Sequence, residues 1–176
     1  MSILKTNQIT DLGGNELLTS NGSGVISSGG AITNTPMFRA KLTSSQSIAS
    51  GAYTKINLDG VSFDSDNVFD TSTYKFTVPS GQSGKYSVGY SIGTDAAIDD
   101  GERLIGRIYR NGTGLNYTTS NDWASGSTRD LFVNYSVNID LSVGDYLELY
   151  MFHNEGGAIN CNPSYTRLWG YKLIGA

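Results

Sequence analysis

Apolar and polar residues alternate along most of the chain from Pro36 onward, and Gly, Asn, Asp and Ser interrupt the alternation at short intervals. In the segment MFRAKL, Phe38, Ala40 and Leu42 fall on one face while Met37, Arg39 and Lys41 fall on the other. This two-residue period is typical of a strand with one buried face. The same pattern predicts strands at Met37–Leu42, Tyr53–Leu58, Tyr74–Val78, Lys85–Ile92, Leu104–Tyr109, Leu115–Thr119, Arg129–Ile139, Tyr146–His153 and Tyr165–Ile174.

Turn-forming residues separate the predicted strands. In RIYRNGTGLNYT, Asn111-Gly112 lies between two strand-like runs and accepts the positive φ angles of a tight hairpin. Short strands at this spacing predict a sandwich or jelly roll. Further turns are expected at Asp59-Gly60, Ser80-Gly81, Asp100-Gly101, Val143-Gly144-Asp145 and Gly156-Gly157.

The composition favours the same all-β class. The 176 residues include 22 Gly and 11 Tyr, which is typical of short strands and tight turns. The best helix candidate, residues 127–140, contains Val, Phe and Tyr that favour a strand instead. A chain of this length accommodates one domain plus an appendage. We therefore predict a head domain at residues 36–176 and an arm with a Gly/Ser linker at residues 1–35.

Charge and cysteine content argue against several classes of protein. The net charge is −4 and only 16% of residues are charged, whereas nucleic-acid binders concentrate Lys and Arg. No window approaches the roughly 18 consecutive apolar residues of a membrane span, and polar residues interrupt every candidate secretion signal. Cys161 is the single cysteine, which rules out a disulfide within the chain. We expect neither nucleic-acid binding nor membrane insertion.

The order of landmarks in the predicted head resembles the globular head of the complement first-component q chain, a domain similar to tumour necrosis factor. The resemblance spans about Pro36 to Ala176, although the chain lacks the collagen Gly-X-Y stalk and has a longer loop between Pro79 and Tyr86. It implies a ten-stranded jelly-roll sandwich that associates as a compact homotrimer. The matching positions are Tyr74, Phe76, Pro79, Gly84, Tyr86, Leu141, Gly144, Asp145, Leu147, Leu149 and Gly170.

The opening segment ILKTNQITDLGGNELLTSNGSG resembles the start of bacteriophage virion proteins, especially those of marine and cyanobacterial phages. Its pieces are a strand at Ile3–Ile9, a turn at Asp11–Gly14 and a strand at Glu16–Thr19. An isolated hairpin is marginal in water, so its apolar residues need partners from sister chains or other virion proteins. Ser20–Gly30 then forms a linker or neck, and the alternative is a disordered tail. The residues expected in docking or trimer contacts are Ile3, Leu4, Ile9, Leu12, Leu17 and Leu18.

Two acidic segments are candidates for a calcium site, because hard cations prefer several carboxylate and carbonyl oxygens together. One is Asp64–Asn67 with Asp70 nearby, where an ordinary turn is the alternative. The other is TDAAIDDGE. The predicted ligands of this second site are Asp95, Asp99, Asp100 and Glu102. We expect no other cofactor.

Trp123 lies in the polar segment TTSNDWASGSTRD, which we interpret as a loop. An aromatic ring beside Asn121 and Asp122 suits a sugar face, so these residues predict a glycan contact. Trimer contact and hairpin packing are the alternatives. His153 is the only histidine, and no Ser or Cys motif gives it a nucleophile to activate. The chain is therefore not expected to be an enzyme.

Together the two resemblances imply a structural protein of a phage virion, assembled in the cytoplasm of the bacterial host. A homotrimeric tail fibre and a capsid decoration protein are the two candidate roles, with host attachment or particle stabilisation as the purpose. A carbohydrate-binding lectin that recognises the host is the alternative. An enzyme that degrades polysaccharide is the third and least favoured hypothesis.

Overall fold

The computed structural model describes residues 7–23, 26–28 and 35–173, which fall into two units. One unit lies N-terminal to Thr35, and the other is a head at residues 35–173.

The described part of the N-terminal unit is an antiparallel sheet of three strands, β1 (Gln8–Thr10), β2 (Glu16–Ser20) and β3 (Ile26–Ser28). Asp11 stabilises the first turn because its Oδ1 accepts hydrogen bonds from the backbone N–H of Gly13 and of Asn15, both at 2.8 Å. The hairpin was predicted from the sequence. β3 was not, and it lies within the segment that had been interpreted as a linker.

The head contains fourteen strands and a single turn of 3₁₀ helix at Asn116–Thr118, with no α-helix in its described residues. The strands are β4 (Met37–Lys41), β5 (Gln46–Ile48), β6 (Thr54–Lys55), β7 (Gly60–Asp64), β8 (Phe69–Asp70), β9 (Lys75–Thr77), β10 (Gly84–Gly93), β11 (Arg103–Arg110), β12 (Thr113–Gly114), β13 (Ser120–Trp123), β14 (Phe132–Leu141), β15 (Tyr146–His153), β16 (Ile159–Cys161) and β17 (Arg167–Lys172).

These strands form two main antiparallel sheets. The five-stranded sheet has the order β14-β10-β17-β4-β7, and the seven-stranded sheet has the order β12-β11-β15-β9-β8 with β13 paired to β11 and β6 paired to β15. β5 and β16 form a separate pair. Neighbouring strands are mostly distant in sequence, as expected for a jelly roll rather than a series of hairpins. The predicted all-β sandwich is confirmed.

The core lies between the two sheets, where alternate residues of each strand point inward. Phe38 of β4 stacks on Phe76 of β9 with ring centroids 4.5 Å apart, which joins the five-stranded sheet to the seven-stranded sheet. Tyr90 is fully buried, and its hydroxyl bonds to the carbonyl oxygens of Gly106 at 2.7 Å and Thr118 at 2.9 Å. Burial raises the pKa of Tyr90.

Several local predictions agree with the structure. Tyr146–His153 is a strand with the predicted bounds. Asn111 and Gly112 have φ angles of 52° and 77°, and they connect β11 to β12 as a tight hairpin.

Other local predictions are wrong. Leu115–Thr119 is not a strand, because the backbone N–H of Thr118 donates to the carbonyl oxygen of Leu115 at 2.9 Å and that of Thr119 donates to Asn116 at 3.2 Å, which closes a 3₁₀ turn. Asp59-Gly60 is not a simple turn, since Gly60 begins β7.

Candidate functional site

The outer face of the five-stranded sheet carries exposed aromatic and apolar residues. In β17, Trp169 and Tyr171 point away from the core because they alternate with buried Leu168 and Gly170. In the neighbouring region of the sheet, Phe63 is 46% exposed. The other exposed apolar residues of this sheet are Val61 and Phe132. A face of this kind is typical of a surface that another protein covers.

A cavity of about 520 Å³ lies on this face. Its floor depends on Gly89, because a Cβ atom there would lie 2.5 Å from the Trp169 indole. The missing side chain lets the indole lie flat against the sheet. The residues that line the cavity are Arg39, Phe63, Ser91, Arg167, Trp169 and Tyr171.

The predicted glycan residues Asn121, Asp122 and Trp123 lie in strand β13, so the interpretation of this segment as a loop was wrong. Asn121 and Trp123 are exposed, whereas Asp122 between them is half-buried. An Asp122 oxygen instead pairs with the Arg129 guanidinium at 2.9 Å. The structure therefore places Asn121 and Trp123 on the outer face and engages Asp122 in a surface ion pair with Arg129.

Trp123 belongs to a continuous row of rings and cations on the outer face of the seven-stranded sheet. The Arg103 guanidinium lies between two rings, 5.0 Å from the Trp123 ring centroid and 5.6 Å from that of Phe152. Phe152 in turn contacts Tyr53, with ring centroids 5.3 Å apart. The Arg107 guanidinium lies 4.5 Å from the Tyr53 ring centroid. Cation–π contacts of this length are attractive and hold both partners in place.

The row continues across the sheet to Tyr109, whose ring is 6.1 Å from that of Tyr53 and stacks on Tyr150 at 3.8 Å. Lys55 pairs with Glu148 at 2.7 Å beside Tyr150. Burial raises the pKa of Tyr109 and of Tyr150 above the ordinary tyrosine value. We call the set the cation–aromatic ladder. Its members are Tyr53, Lys55, Arg103, Arg107, Tyr109, Trp123, Tyr150 and Phe152.

Sequence reasoning identified Trp123 but missed the rest of the ladder. The signal was present in two segments, RLIGRIYR and YLELYMFH, whose alternation places Arg and aromatic residues on the face opposite to the buried Leu and Ile. The register Arg107↔Tyr150 and Ile105↔Phe152 then brings the two sets of residues side by side.

The four carboxylates of the predicted calcium site bond to different parts of the head. Asp95 accepts a hydrogen bond from Ser45 at 2.8 Å, Asp99 accepts one from Thr128 at 3.2 Å, and Asp100 accepts one from the Gly126 backbone at 2.6 Å. Glu102 has a buried carboxylate oxygen without a hydrogen-bond partner among the described residues. Within residues 7–23, 26–28 and 35–173, no group of three or more His, Cys, Asp or Glu side chains is arranged to hold a metal. Calcium binding stays a prediction.

The other acidic segment forms turns. Asp64 accepts hydrogen bonds from the backbone N–H of Val68 and of Phe69, both at 2.9 Å. The side-chain hydroxyls of Ser72 and Thr73 donate to Asp70 and hold the pKa of that carboxyl well below its usual range. Both carboxylates thus have structural roles in ordinary turns.

His153 and Cys161 lie in the core and are inaccessible. His153 is fully buried, and its Nε2 is 2.9 Å from the carbonyl oxygen of Ile48. Burial raises the pKa of the Cys161 thiol to about 12, which keeps it protonated and unreactive near neutral pH.

The residues predicted to dock the chain lie in the N-terminal unit. Ile3 and Leu4 fall outside the described residues. Ile9 and Leu17 are 44% and 48% exposed, and Leu12 is fully exposed at the tip of the first turn. The remaining docking residue, Leu18, is half-buried.

The head has the fold of solved proteins that share little of its sequence. The globular domain of zebrafish complement 1qA matches with a TM-score of 0.60 and 18% identity over 79% of this chain and 98% of that chain. Murine APRIL matches with a TM-score of 0.56 and 12% identity over 78% and 98%. PRD1 vertex protein P5 matches with a TM-score of 0.55 and 18% identity over 78% and 96%. The chain therefore has a jelly-roll fold of the complement 1q and tumour necrosis factor type.

No protein-family model matches the chain, and no curated protein sequence matches it. Among residues 7–23, 26–28 and 35–173, no helix combines the length and the apolar character needed to cross a membrane.

Proposed function

We propose that this chain is a structural protein of a phage virion, a homotrimeric surface appendage with jelly-roll heads. The observation that carries the proposal is the structural similarity of the head to the vertex protein P5 of phage PRD1, which covers 96% of that chain. The N-terminal segment supports it independently, since its sequence resembles the start of phage virion proteins. The role is architectural and not catalytic.

The five-stranded sheet supplies the proposed trimer contact. Its outer face exposes Phe63, Tyr171 and Phe132 to solvent in the single chain, and aromatic residues are enriched in protein interfaces. A closed threefold arrangement repeats one contact three times and leaves no copy of the face in water. The resemblance to the q-chain head also implies a trimer.

The N-terminal unit is proposed to dock the appendage to the particle. Its sheet exposes Ile9, Leu12 and Leu17, and three copies or a neighbouring virion protein would provide apolar partners. Deletion of residues 1–30 should leave a folded head that no longer joins the particle. Normal incorporation of the truncated chain into virions would contradict this docking role.

Sedimentation equilibrium of the full chain tests the trimer directly, and a monomer at micromolar concentration would overturn it. The number of copies in each purified virion distinguishes the two candidate roles, tail fibre and capsid decoration protein. A few dozen chains or fewer indicate a tail fibre, whereas hundreds indicate a capsid decoration protein. A map of the intact particle would also identify the docking partner.

A lectin that recognises the host surface is the second candidate function, and the exposure of Trp123 favours it. Trp123 is 45% exposed on the outer face of β13, next to Asn121. A glycan array with the wild type and Trp123→Ala tests this role. Loss of specific glycan binding in the variant supports the lectin role, and unchanged binding shows that Trp123 does not contribute to a glycan site.

A further inference from the structure

The geometry points to a binding surface for an acidic polysaccharide on the cation–aromatic ladder, with carboxylate groups of the polymer as the recognised chemistry. This inference rests on the proposed lectin role and names the class of glycan. It extends the site from one tryptophan to a row that crosses strands β13, β11 and β15 and reaches Tyr53 and, within β6, Lys55.

Two arginines give the ladder its positive charge. The described residues contain two ion pairs, Lys55 with Glu148 and Arg129 with Asp122. Arg103 and Arg107 belong to neither, so within that part of the chain both guanidinium groups lack an acidic partner. The chain as a whole has a net charge of −4. A cationic row on an acidic protein is complementary to a polyanion and does not follow from the overall charge.

Both guanidinium groups of the ladder are held in place by neighbouring side chains. Nε of Arg107 donates to the Thr119 hydroxyl at 2.9 Å, which fixes the side chain and leaves the terminal nitrogens to other partners. Nε of Arg103 is buried without a hydrogen-bond partner among the described residues, and rings flank its guanidinium on two sides. A guanidinium held in this way has little conformational freedom left to lose on binding.

The arginines and rings of the ladder match the carboxylates and sugar rings of a uronic acid polymer. A planar guanidinium donates two parallel hydrogen bonds to a carboxylate, which a lysine ammonium does not do. Between the two arginines lie the rings of Phe152 and Tyr53, and Trp123 closes one end of the row. Aromatic rings offer flat apolar surfaces to sugar rings, so a row that contains both rings and arginines suits a polymer whose sugar rings carry carboxylates.

The position of the ladder agrees with the proposed trimer. The two sheets of a sandwich have outer faces that point in opposite directions. A trimer joined through the five-stranded sheet would therefore leave the ladder of all three heads accessible. The three ladders of one trimer would bind a long polymer with greater avidity than a single ladder.

Titration calorimetry of the full chain with polygalacturonate tests the inference. Fully methyl-esterified polygalacturonate carries the same sugars without charge, and poly-L-glutamate carries carboxylates without sugars. The expected result is binding of polygalacturonate at least tenfold tighter than of either comparison polymer. Absence of polygalacturonate binding, or equal binding of poly-L-glutamate, would overturn the inference.

Three variants locate the site. Arg107→Gln should weaken polygalacturonate binding about tenfold, and Arg107→Lys should weaken it by a smaller factor, because lysine keeps the charge and loses the paired donors. Lys172→Gln removes one positive charge at the end of β17, outside the ladder. Lys172 follows outward-facing Tyr171, so it lies off the outer face of the five-stranded sheet, and its loss should change binding less than twofold. An equal loss in Lys172→Gln and Arg107→Gln would assign the binding to nonspecific charge attraction and overturn the site. Thermal unfolding of each variant verifies that the head is folded.

Sedimentation equilibrium on the same samples separates this inference from the proposed assembly. A wild-type trimer that does not bind polygalacturonate overturns the ladder site and leaves the trimeric appendage intact. A monomer that binds polygalacturonate supports the site and overturns the trimer.

Discussion

The side-chain amide of Asn111 donates a 2.6 Å hydrogen bond to Oδ1 of Asp145, which joins the β11–β12 hairpin to the turn before β15. The side-chain Oδ1 of Asn111 also accepts a hydrogen bond from the backbone N–H of Tyr146 at 2.9 Å. Asn111 has a φ angle of 52°, in the left-handed region. Asn111 thus adopts the left-handed conformation that the turn requires, and its side chain makes two hydrogen bonds.

Two substitutions separate these contributions. Asn111→Gly keeps the positive φ angle accessible and should cost about 1–2 kcal/mol through the lost hydrogen bonds. Asn111→Ala should cost about 1 kcal/mol more, because alanine is strained in the left-handed region. Urea unfolding of the two variants and the wild type measures both values. Equal stability of the two variants would show that the backbone conformation is not strained.

The lowered pKa of Asp145 predicts that the stability of the head depends on pH. The backbone N–H of Ser142 and the amide of Asn111 donate to its carboxylate and hold its pKa below the ordinary value of 3.8. Because the folded pKa is lower than the unfolded one, the stabilisation is complete above the unfolded pKa and disappears as the pH falls through the folded pKa.

The measurement compares the wild type with Asp145→Asn in urea unfolding from pH 7 down to pH 2. The wild type should be more stable at pH 7, and the difference should shrink below about pH 4. Asp140→Asn, on the exposed face of β14, controls for the loss of one carboxylate. A difference that stays constant over this range would assign the effect of Asp145→Asn to geometry and not to charge.

The sequence was sufficient to predict a strand where one face of that strand is buried and the other is not. β15 was predicted to the residue because the apolar residues Leu147, Leu149 and Met151 alternate with residues that point to the outer face of the sheet. β13 was missed because its four residues, SNDW, contain no buried apolar side chain that would mark a strand. Its place is set by the pairing of Arg103 with Trp123, which is a long-range contact.

The ladder was only partly predictable for the same reason. Local pattern places Arg107 and Tyr109 on one face of β11, but the register with β15 determines which rings they meet. Tyr53 precedes a strand of two residues, and its contacts with Phe152 and Arg107 depend on the closure of the whole sheet. Sequence spacing alone carries no information on these contacts.

Removal of the buried hydroxyl of Tyr90 should lower the free energy of unfolding substantially, although the side chain loses only one oxygen atom. The hydroxyl contacts the carbonyl oxygens of Gly106 and Thr118 and accepts the backbone N–H of Ser120 at 3.0 Å. Tyr90→Phe would leave these buried groups with fewer partners and should cost about 2 kcal/mol of unfolding free energy. Tyr117→Phe, at a 53% exposed position, should cost less than about 0.5 kcal/mol. Chemical denaturation measures both, and similar values would mean that water enters the Tyr90 site and replaces the hydroxyl.

The trimer proposal predicts that one charge on the five-stranded sheet separates the subunits without unfolding them. Phe63 is 46% exposed in the single chain and lines the cavity with Trp169, so Phe63→Lys should leave the isolated head folded. In a trimer the same lysine would be buried at each of three contacts without an acidic partner. The loss of apolar burial at Phe63 alone should destabilise each contact by about 2 kcal/mol, which corresponds to roughly 30-fold weaker association at each contact. Sedimentation equilibrium should therefore show Phe63→Lys as a monomer at concentrations where the wild type is trimeric, with unchanged near-ultraviolet circular dichroism.

Val143→Lys is the matched control for this variant, because Val143 is 51% exposed and lies in a turn away from the cavity. It adds the same charge to the same chain and should stay trimeric. Dissociation of both variants would indicate that added positive charge alone separates the subunits, since the two positions share no surface. A trimer of Phe63→Lys with wild-type affinity would exclude the outer face of the five-stranded sheet from the contact, and the exposed rings of that face would then have to meet a different virion protein.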